Sequence, residues 1–170
     1  MLHYLTIPVT AFQQNSSLVW CDQTMEAAVI DPGGDLDLLL AEAQRLGLHL
    51  KAIWLTHAHI DHAGGTGELA QKLGLPIIGP HPGDQFWIDG LPQQSQMFGF
   101  PPAGHFTPTR WLADGDTVQI GHCILNVRHC PGHTPGHVVF HSSEAQRAFV
   151  GDVLFADSIG RTDFPQGNHA

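Results

Sequence analysis

The chain has 170 residues, an apolar fraction of 42% and a net charge of −9 at neutral pH. This length predicts one domain over residues 1–170 with a core of its own, and the apolar fraction is ordinary for a globular protein. Seven Lys plus Arg residues form no basic stripe, and no run approaches the ~18 apolar residues of a membrane span, so we expect neither a nucleic-acid partner nor a membrane.

The first half of the chain alternates between predicted strands and helices. Three short strands, separated by turns, are predicted over residues 2–8, 17–21 and 27–30. Leucines then recur at helical spacing between Asp35, the expected N-cap, and Gly47, the expected end of the helix. A strand over residues 51–56, a helix over 67–73 and a strand over 75–78 follow.

The second half is dominated by strands. Residues 80–110 are rich in Gly, Pro and Gln, with aromatic residues interspersed, and they predict a helix followed by a long loop. This segment either forms a rim over a site or is a packed excursion without a role in binding. Residues 114–116 are a predicted turn, and residues 118–153 are mostly strands. Strands at both ends with helices between them indicate an α+β fold built in layers.

The run His57-Ala58-His59-Ile60-Asp61-His62 is the most informative segment, because it holds four metal-ligand side chains in six residues. It follows the apolar run 52–55, which predicts a buried strand, and it precedes a Gly-Gly entry to a helix. Imidazole suits zinc, iron and manganese, and carboxylate adds a hard oxygen ligand. This density predicts a site for two metal ions; the alternative is a solvated His-rich turn.

Two further segments support a metal site. Residues 130–137, Cys-Pro-Gly-His-Thr-Pro-Gly-His, form a predicted loop between two apolar runs, and ligands are often presented at such strand ends. Residues 149–155 place Asp152 inside an otherwise apolar predicted strand. Burying an unpaired carboxylate is costly, which predicts a cation beside Asp152. The alternative is that Asp152 caps a turn after Gly151.

These motifs, HxHxDH, GHTPGH and GDxLF, resemble those of the metallo-β-lactamase superfamily. Gln-Asn-Ser at 14–16, Asp-Pro-Gly-Gly at 31–34 and the run 158–165 are similar to the glyoxalase II-like thioester hydrolases, also called hydroxyacylglutathione hydrolases. The last run resembles their small single-domain bacterial branch. The resemblance covers residues 2–169 and implies a four-layer αββα sandwich.

The resemblance also implies a role for each motif residue. Six side chains would hold two metal ions, three on the first, two on the second and one bridging them: His57, His59 and His133, then Asp61 and His62, then Asp152. Asp61 would in addition be the catalytic residue that orients the metal-activated water and takes its proton.

Two residues outside the ligand set are implied to support the site. His137 resembles a position that holds a ligand by a hydrogen bond, although a satisfied strand histidine is an equal alternative. Arg161 matches a basic position that faces the carboxylate end of the substrate, and an Arg there can bind a carboxylate with two hydrogen bonds. A salt bridge from Arg161 to Asp157 or Asp163 is the alternative.

One expected ligand has no counterpart in these 170 residues. In the family a further His, in a Pro-Gly-His-Gly run, completes the second metal site, whereas His169 is flanked by Asn and Ala. The last strand and helix of the family fold also have no counterpart. We expect the chain to be an incomplete piece of a longer protein; a natural short form with one filled site, or a ligand recruited from a partner chain, are the alternatives.

The resemblance implies hydrolysis of small thioesters, such as S-lactoylglutathione to lactate and glutathione, by a metal-bound hydroxide. We expect two divalent metal ions, zinc first, although iron or manganese also suits this ligand set. Three cysteines without a CxxC pair suggest reduced thiols and a cytoplasmic protein.

Two other functions compete with this hydrolase. One is a persulfide dioxygenase with a single iron on His57, His133 and Asp152, which would leave the rest of the six-residue cluster unused. The other is a metal-binding domain without catalysis.

Overall fold

The computed structural model describes all 170 residues, and its first sheet has five strands in chain order. They are β1 (Leu2–Val9), β2 (Gln14–Cys21), β3 (Glu26–Ile30), β4 (His49–Trp54) and β5 (Ile77–Ile78). β1, β2 and β3 pair antiparallel, whereas β3, β4 and β5 pair parallel. The carboxyl ends of β3 and β4 therefore meet at one edge of the sheet.

The second sheet is antiparallel throughout. Its strands are β6 (Thr117–Ile120), β7 (Cys123–His129), β8 (Val138–Ser142) and β9 (Arg147–Phe149), and a short hairpin of β10 (Leu154–Phe155) and β11 (Ser158–Ile159) follows. Burial alternates along β7: Leu125 and Val127 are buried, Ile124 and Arg128 on either side of them are exposed, and Asn126 between them is half-buried. One face of this sheet therefore packs inward and the other meets solvent.

The helices are short. They are α1 (Leu36–Arg45), α2 (Ile60–Ala63), α3 (Thr66–Leu73), a 3₁₀ turn at Pro82–Asp84, α4 (Gln85–Asp89) and α5 (Leu91–Phe98). α1 ends just before Gly47, whose φ is 68°, and α3 ends at Gly74, whose φ is 65°. None of the helices has the length and apolar character needed to cross a membrane.

Two apolar cores define the layers. Trp54 and Phe140 meet between the sheets, with ring centroids 5.5 Å apart. Ile53, the neighbour of Trp54 on β4, faces the opposite way and packs with Leu39 and Leu69 of the helices. The carboxyl half of β4, residues 52–54, is thus buried on both faces, which explains the continuous apolar run there. The predicted α+β fold class is confirmed; one helical layer and two sheets are present, and the outer face of β6 and β7 is open to solvent.

Two local predictions were wrong. Asp152 does not lie inside a strand, because β9 ends at Phe149 and the chain turns at Gly151, whose φ is 50°. The strand predicted over 75–78 shrinks to β5, since Pro76 has no N–H for a ladder. Asp35 is the N-cap residue of α1, as predicted, but its carboxylate makes no capping bond and instead accepts a hydrogen bond from the Thr10 N–H at 2.7 Å.

Candidate metal centre

Three chain segments converge at the edge where β3 and β4 end. The loop after β4 and the start of α2 bring four side chains, the β7–β8 loop brings one and the turn after β9 brings one: His57, His59, Asp61 and His62, then His133, then Asp152. All six residues implied by the sequence resemblance are therefore neighbours in space, although 95 positions separate the first from the last.

One group consists of three imidazoles. One ring nitrogen of each of His57, His59 and His133 lies within 4.8 Å of the other two. His59 Nδ1 and His133 Nε2 are 3.0 Å apart. All three residues are buried. Two neutral imidazole nitrogens with lone pairs aimed at each other repel, so this geometry requires a proton or a metal ion between them.

A second group consists of Asp61, His62 and Asp152. His62 Nε2 lies 3.1 Å from Asp152 Oδ1 and 3.6 Å from Asp61 Oδ2. The other oxygen of the same carboxylate, Asp152 Oδ2, lies 3.2 Å from His133 Nε2 and 3.8 Å from His57 Nε2. Asp152 therefore faces each group with a different oxygen, which is the arrangement that a bridging ligand needs.

Hydrogen bonds on the far side of the rings fix which nitrogen can be a ligand. His62 Nδ1 donates to Asp31 Oδ2 at 2.9 Å, and His133 Nδ1 donates to the Arg161 carbonyl at 2.7 Å. Thr56 Oγ1 gives its own proton to Asp31, so it accepts from His57 Nδ1 at 2.9 Å. In each ring the Nε2 lone pair is consequently left facing the two groups, as in histidines that bind metal.

Unpaired buried atoms support the same conclusion. Nε2 of His57 and Nε2 of His62 are buried and have no hydrogen-bond partner. Buried polar atoms in native proteins are almost always paired, and a cation would pair both of these. His59 differs, since its Nε2 is buried and unpaired beside the Trp87 ring while its Nδ1 faces His133. The residues present therefore fit two divalent cations.

The protonation states suit metal binding with one exception. Burial lowers the pKa of His57 well below its ordinary value and lowers the pKa of His59 to about 3. Burial alone would raise the pKa of Asp152, but the imidazoles of His133 and His62 beside its carboxylate hold it below its usual range. Burial opposes a charge on His62 as well, yet Asp152 and Asp31 raise its pKa well above the ordinary value. A cation that binds His62 must therefore displace a proton.

Comparison with known proteins agrees with this geometry. The family model of the metallo-beta-lactamase superfamily matches residues 9–170. A hydroxyacylglutathione hydrolase, GloC of Haemophilus influenzae, is 46% identical over 164 residues, which are 96% of this chain and 77% of that protein.

The chain belongs to the metallo-beta-lactamase superfamily.

Two solved structures of the superfamily are similar over nearly the whole chain. The BLEG-1 B3 metallo-beta-lactamase superposes with a TM-score of 0.88 at 34% identity, covering 98% of this chain and 80% of that one. TTHA1623 in a di-iron-bound form superposes with a TM-score of 0.86 at 36% identity, covering 96% of this chain and 79% of that one. The predicted superfamily and fold are thus confirmed, and the His and Asp groups fall in a fold whose relatives include hydrolases and a protein with two metal ions.

His137 lies against the metal groups without belonging to either. Its Nε2 accepts a hydrogen bond from the Asp152 backbone N–H at 3.1 Å, and its Nδ1 lies 3.1 Å from the Val138 carbonyl. Its ring stacks on His57, with centroids 4.4 Å apart and planes 17° apart. His137 therefore holds the backbone of one candidate ligand and the ring plane of another.

Arg161 contributes to the site through its backbone. Its carbonyl accepts the hydrogen bond from His133, whereas its guanidinium binds Asp163 through two hydrogen bonds of 2.6 and 2.7 Å. The guanidinium also lies over the Phe164 ring, 4.4 Å from its centroid. The alternative considered for Arg161, a salt bridge to Asp163, is present. His169 is exposed and belongs to neither metal group; its Nδ1 lies 3.4 Å from Thr162 Oγ1.

Sequence reasoning missed Asp31 as a member of the site. This fully buried carboxylate accepts from His62 Nδ1, from the Thr56 N–H at 2.8 Å and from Thr56 Oγ1 at 2.5 Å. The turn that follows Asp31 passes so close to the metal motif that a Cβ on Gly33 would overlap the Asp61 carbonyl. The signal was available, because Asp31 directly follows a buried strand and precedes a Pro-Gly-Gly turn.

Asp84 was missed as well, and it joins the two ligand loops. Its Oδ2 accepts from the Ala58 N–H and from Thr134 Oγ1, both at 2.9 Å, and its Oδ1 accepts from the Gly136 N–H at 2.6 Å. Ala58 lies between two candidate ligands of the first loop, and Thr134 follows His133 in the second. A single buried carboxylate thus fixes the spacing between both loops.

Replacing Asp84 with Ala should loosen this connection. Three buried donors would lose their acceptor, at about 1 kcal/mol or more each, so we expect a loss of about 3 kcal/mol in the free energy of unfolding. Losses of second-layer hydrogen bonds weaken metal binding by about 10–100-fold, and we expect a loss of metal affinity in that range. Thermal unfolding and competition with a chelator measure the two effects. Asp37→Ala, at a fully exposed carboxylate on α1, is the matched control and should change neither.

Proposed function

We propose that the protein is a metal-dependent hydrolase of small thioesters, similar in reaction to glyoxalase II. The observation that carries this proposal is the position of Asp152, which presents one oxygen to each of two groups of ligand side chains. The hydroxyacylglutathione hydrolase among the relatives supports the choice of thioesters. We propose zinc as the metal, because three buried imidazoles form the first group and suit it.

The six side chains would hold two divalent cations, which supply an acidified water and polarise the substrate carbonyl. Asp61 would orient that water and accept its proton; its carboxylate lies 3.6 Å from His62 Nε2 and lines the open cavity.

The thiolate leaving group of a thioester needs little protonation. A thiol has a pKa of about 8.5, so the thiolate leaves without a dedicated general acid. The side chains that line the cavity over the metal groups include no Lys, Cys or Tyr that would serve as one. An amide or an ordinary ester would need more protonation of its leaving group, and this difference favours thioesters. We also propose a cytoplasmic location on the basis of the three free cysteines.

The proposal is tested by hydrolysis of S-lactoylglutathione with the metal-loaded protein. We expect release of free thiol, detected with a thiol reagent, and loss of that release after treatment with a chelator. Return of activity on adding zinc would show that the loss reflects the metal rather than unfolding. A metal-loaded protein that cleaves no thioester of any chain length would contradict the proposal.

We propose that Arg161 can contact the substrate only if its guanidinium first leaves Asp163. Because the guanidinium already binds Asp163 through Nε and Nη2, Arg161→Ala should change kcat/KM for S-lactoylglutathione by less than about threefold, the size of an exposed ion pair. Asp163→Asn should free the guanidinium and lower KM for the same substrate. A fall of about a hundredfold in kcat/KM with Arg161→Ala would instead mean that Arg161 leaves Asp163 and binds the substrate directly.

A further inference from the structure

The cavity above the metal groups is large and mostly apolar. It measures about 980 Å³, and His59, Asp61, His133 and Asp152 form its floor. Twelve large hydrophobic side chains of the chain are exposed, and half of them line this one cavity: Phe12, Phe86, Met97, Phe98, Phe155 and Ile159. Apolar side chains scattered singly over a surface are normal, whereas a concentration around a site marks a binding surface.

Two opposed walls carry these side chains. One wall is the helical segment α4–α5, with Phe86 and Met97, and the other is the β10–β11 hairpin, with Phe155 and Ile159. Near the floor the Trp87 ring meets His59, with centroids 4.5 Å apart. An extended group that leaves the metal groups along the cavity would therefore contact apolar surface on both sides.

The outer cavity offers an anionic thiol part little to bind. Asp61 and Asp152 of its lining are candidate metal ligands, whose charges the cations would neutralise, so the charged side chains left for a substrate are Asp89 and one permanent cation, Arg161. That cation is already paired with Asp163. Glutathione has two carboxylates, and the lining offers neither of them an unpaired Lys or Arg. Its carboxylates would therefore gain little here.

We infer that the cavity selects thioesters by an extended apolar acyl group, and that the thiol part is recognised weakly. This inference rests on the proposed hydrolase function and specifies its substrate class. Removing a methylene from water contributes about 0.8 kcal/mol, which corresponds to roughly a fourfold gain per methylene when burial is complete. The acyl chain is thus the part of the substrate from which this site gains affinity.

The test varies the acyl chain at constant thiol. N-acetylcysteamine thioesters of acetate, butanoate, hexanoate and octanoate carry an uncharged thiol part. We expect kcat/KM to rise at least about tenfold from acetyl to hexanoyl, a conservative part of the gain for complete burial. For one acyl group, the glutathione and N-acetylcysteamine thioesters should differ by less than about threefold, as an exposed charge contact would. A flat series, or a glutathione preference above tenfold, would overturn the inference.

Variants locate the effect. Met97→Ala and Phe155→Ala remove exposed side chains from opposite walls, so both proteins should fold, and each should reduce the hexanoyl-to-acetyl ratio. Ile124→Ala removes an apolar side chain whose exposure lies between those of Met97 and Phe155, from the outer face of β7, and should leave the ratio unchanged. Equal ratios in the two wall variants, the control and the native protein would assign the chain-length effect to another surface and overturn the inference.

A binding measurement separates this inference from the hydrolase proposal. S-alkyl N-acetylcysteamine thioethers cannot be hydrolysed, and their binding can be followed by the fluorescence of Trp87 against a Trp87→Phe control. Affinity that rises with alkyl length supports the apolar cavity even if no thioester is cleaved. Affinity that is independent of length overturns the inference even if S-lactoylglutathione is hydrolysed.

Discussion

Replacing Asp152 with Ala should remove bound metal and abolish hydrolysis, with kcat/KM lower by about a thousandfold or more, the size expected when charge stabilisation by a metal ion is lost. Its two oxygens lie 3.1 Å from His62 Nε2 and 3.2 Å from His133 Nε2. Asp31, the other carboxylate near both groups, contacts His62 on the far side of its ring, through Nδ1. Elemental mass spectrometry and thiol release measure the two losses.

Two controls distinguish loss of the metal from loss of folding. Asp152 lies in a turn and is partly exposed. The unfolding transition of Asp152→Ala should therefore be as cooperative as that of the metal-free native protein. Asp163→Ala removes a nearby exposed carboxylate that belongs to neither ligand group and should retain the metal. A cooperatively folded Asp152→Ala protein with its full metal content and activity would mean that the reaction takes place elsewhere.

The ligand residues were predictable from sequence because they are concentrated in short motifs. His57, His59, Asp61 and His62 lie within six residues, and the end of the strand before them is apolar on both faces. The motif thus predicted both which residues are candidate ligands and that they lie at the end of a buried strand. The strand assignment around Asp152 failed for a related reason. Val150, Val153 and their neighbours are apolar enough to imitate a strand, whereas the positive φ of Gly151 breaks it.

The groups that hold the ligands in place were harder to see. Asp84 is 26 residues from Ala58 and 52 from Gly136, and its local sequence, Pro-Gly-Asp, is that of any exposed turn. Only tertiary packing brings it between the two loops, and neither periodicity nor spacing encodes that contact. Asp31 was closer to prediction, since an acid at the end of a buried strand needs a partner. Arg161 contributes its carbonyl, and side-chain chemistry does not reveal a backbone role.

The cavity walls also depend on tertiary contacts that the sequence did not predict. The aromatic residues in residues 80–110 were visible in the sequence, but a rim over the site and a packed excursion were equally compatible with them. Gln94 decides between the two, because its Oε1 accepts from the Ile60 N–H and its Nε2 donates to the Trp87 carbonyl, both at 2.9 Å. The segment is thereby tied to the loop that carries the metal ligands and forms a wall of the cavity.

His59→Ala should reveal how many metal ions the reaction needs. If two cations are held, the native protein should contain about two ions per chain, mainly zinc, and the variant should lose at least one of them. We expect kcat to fall by about a hundredfold or more, because a ligand contact is worth at least as much as the outer hydrogen bonds around it. Metal content per chain and thiol release are measured on the same preparation. His105→Ala, an exposed histidine paired with Asp89, is the control.

The same variant separates the hydrolase from the dioxygenase considered above. A single iron on His57, His133 and Asp152 would leave His59 without a ligand role, so the change to Ala would cost little metal and little activity. The structure argues against that outcome, because His59 Nδ1 lies only 3.0 Å from His133 Nε2. With a cation on His133 Nε2, that nitrogen has no lone pair left to accept a hydrogen bond, so His59 Nδ1 either shares the cation or is a buried atom without a partner. One iron per chain, unaffected by His59→Ala, would therefore refute the two-metal hydrolase, whereas two ions reduced to one or none would refute the single-iron enzyme.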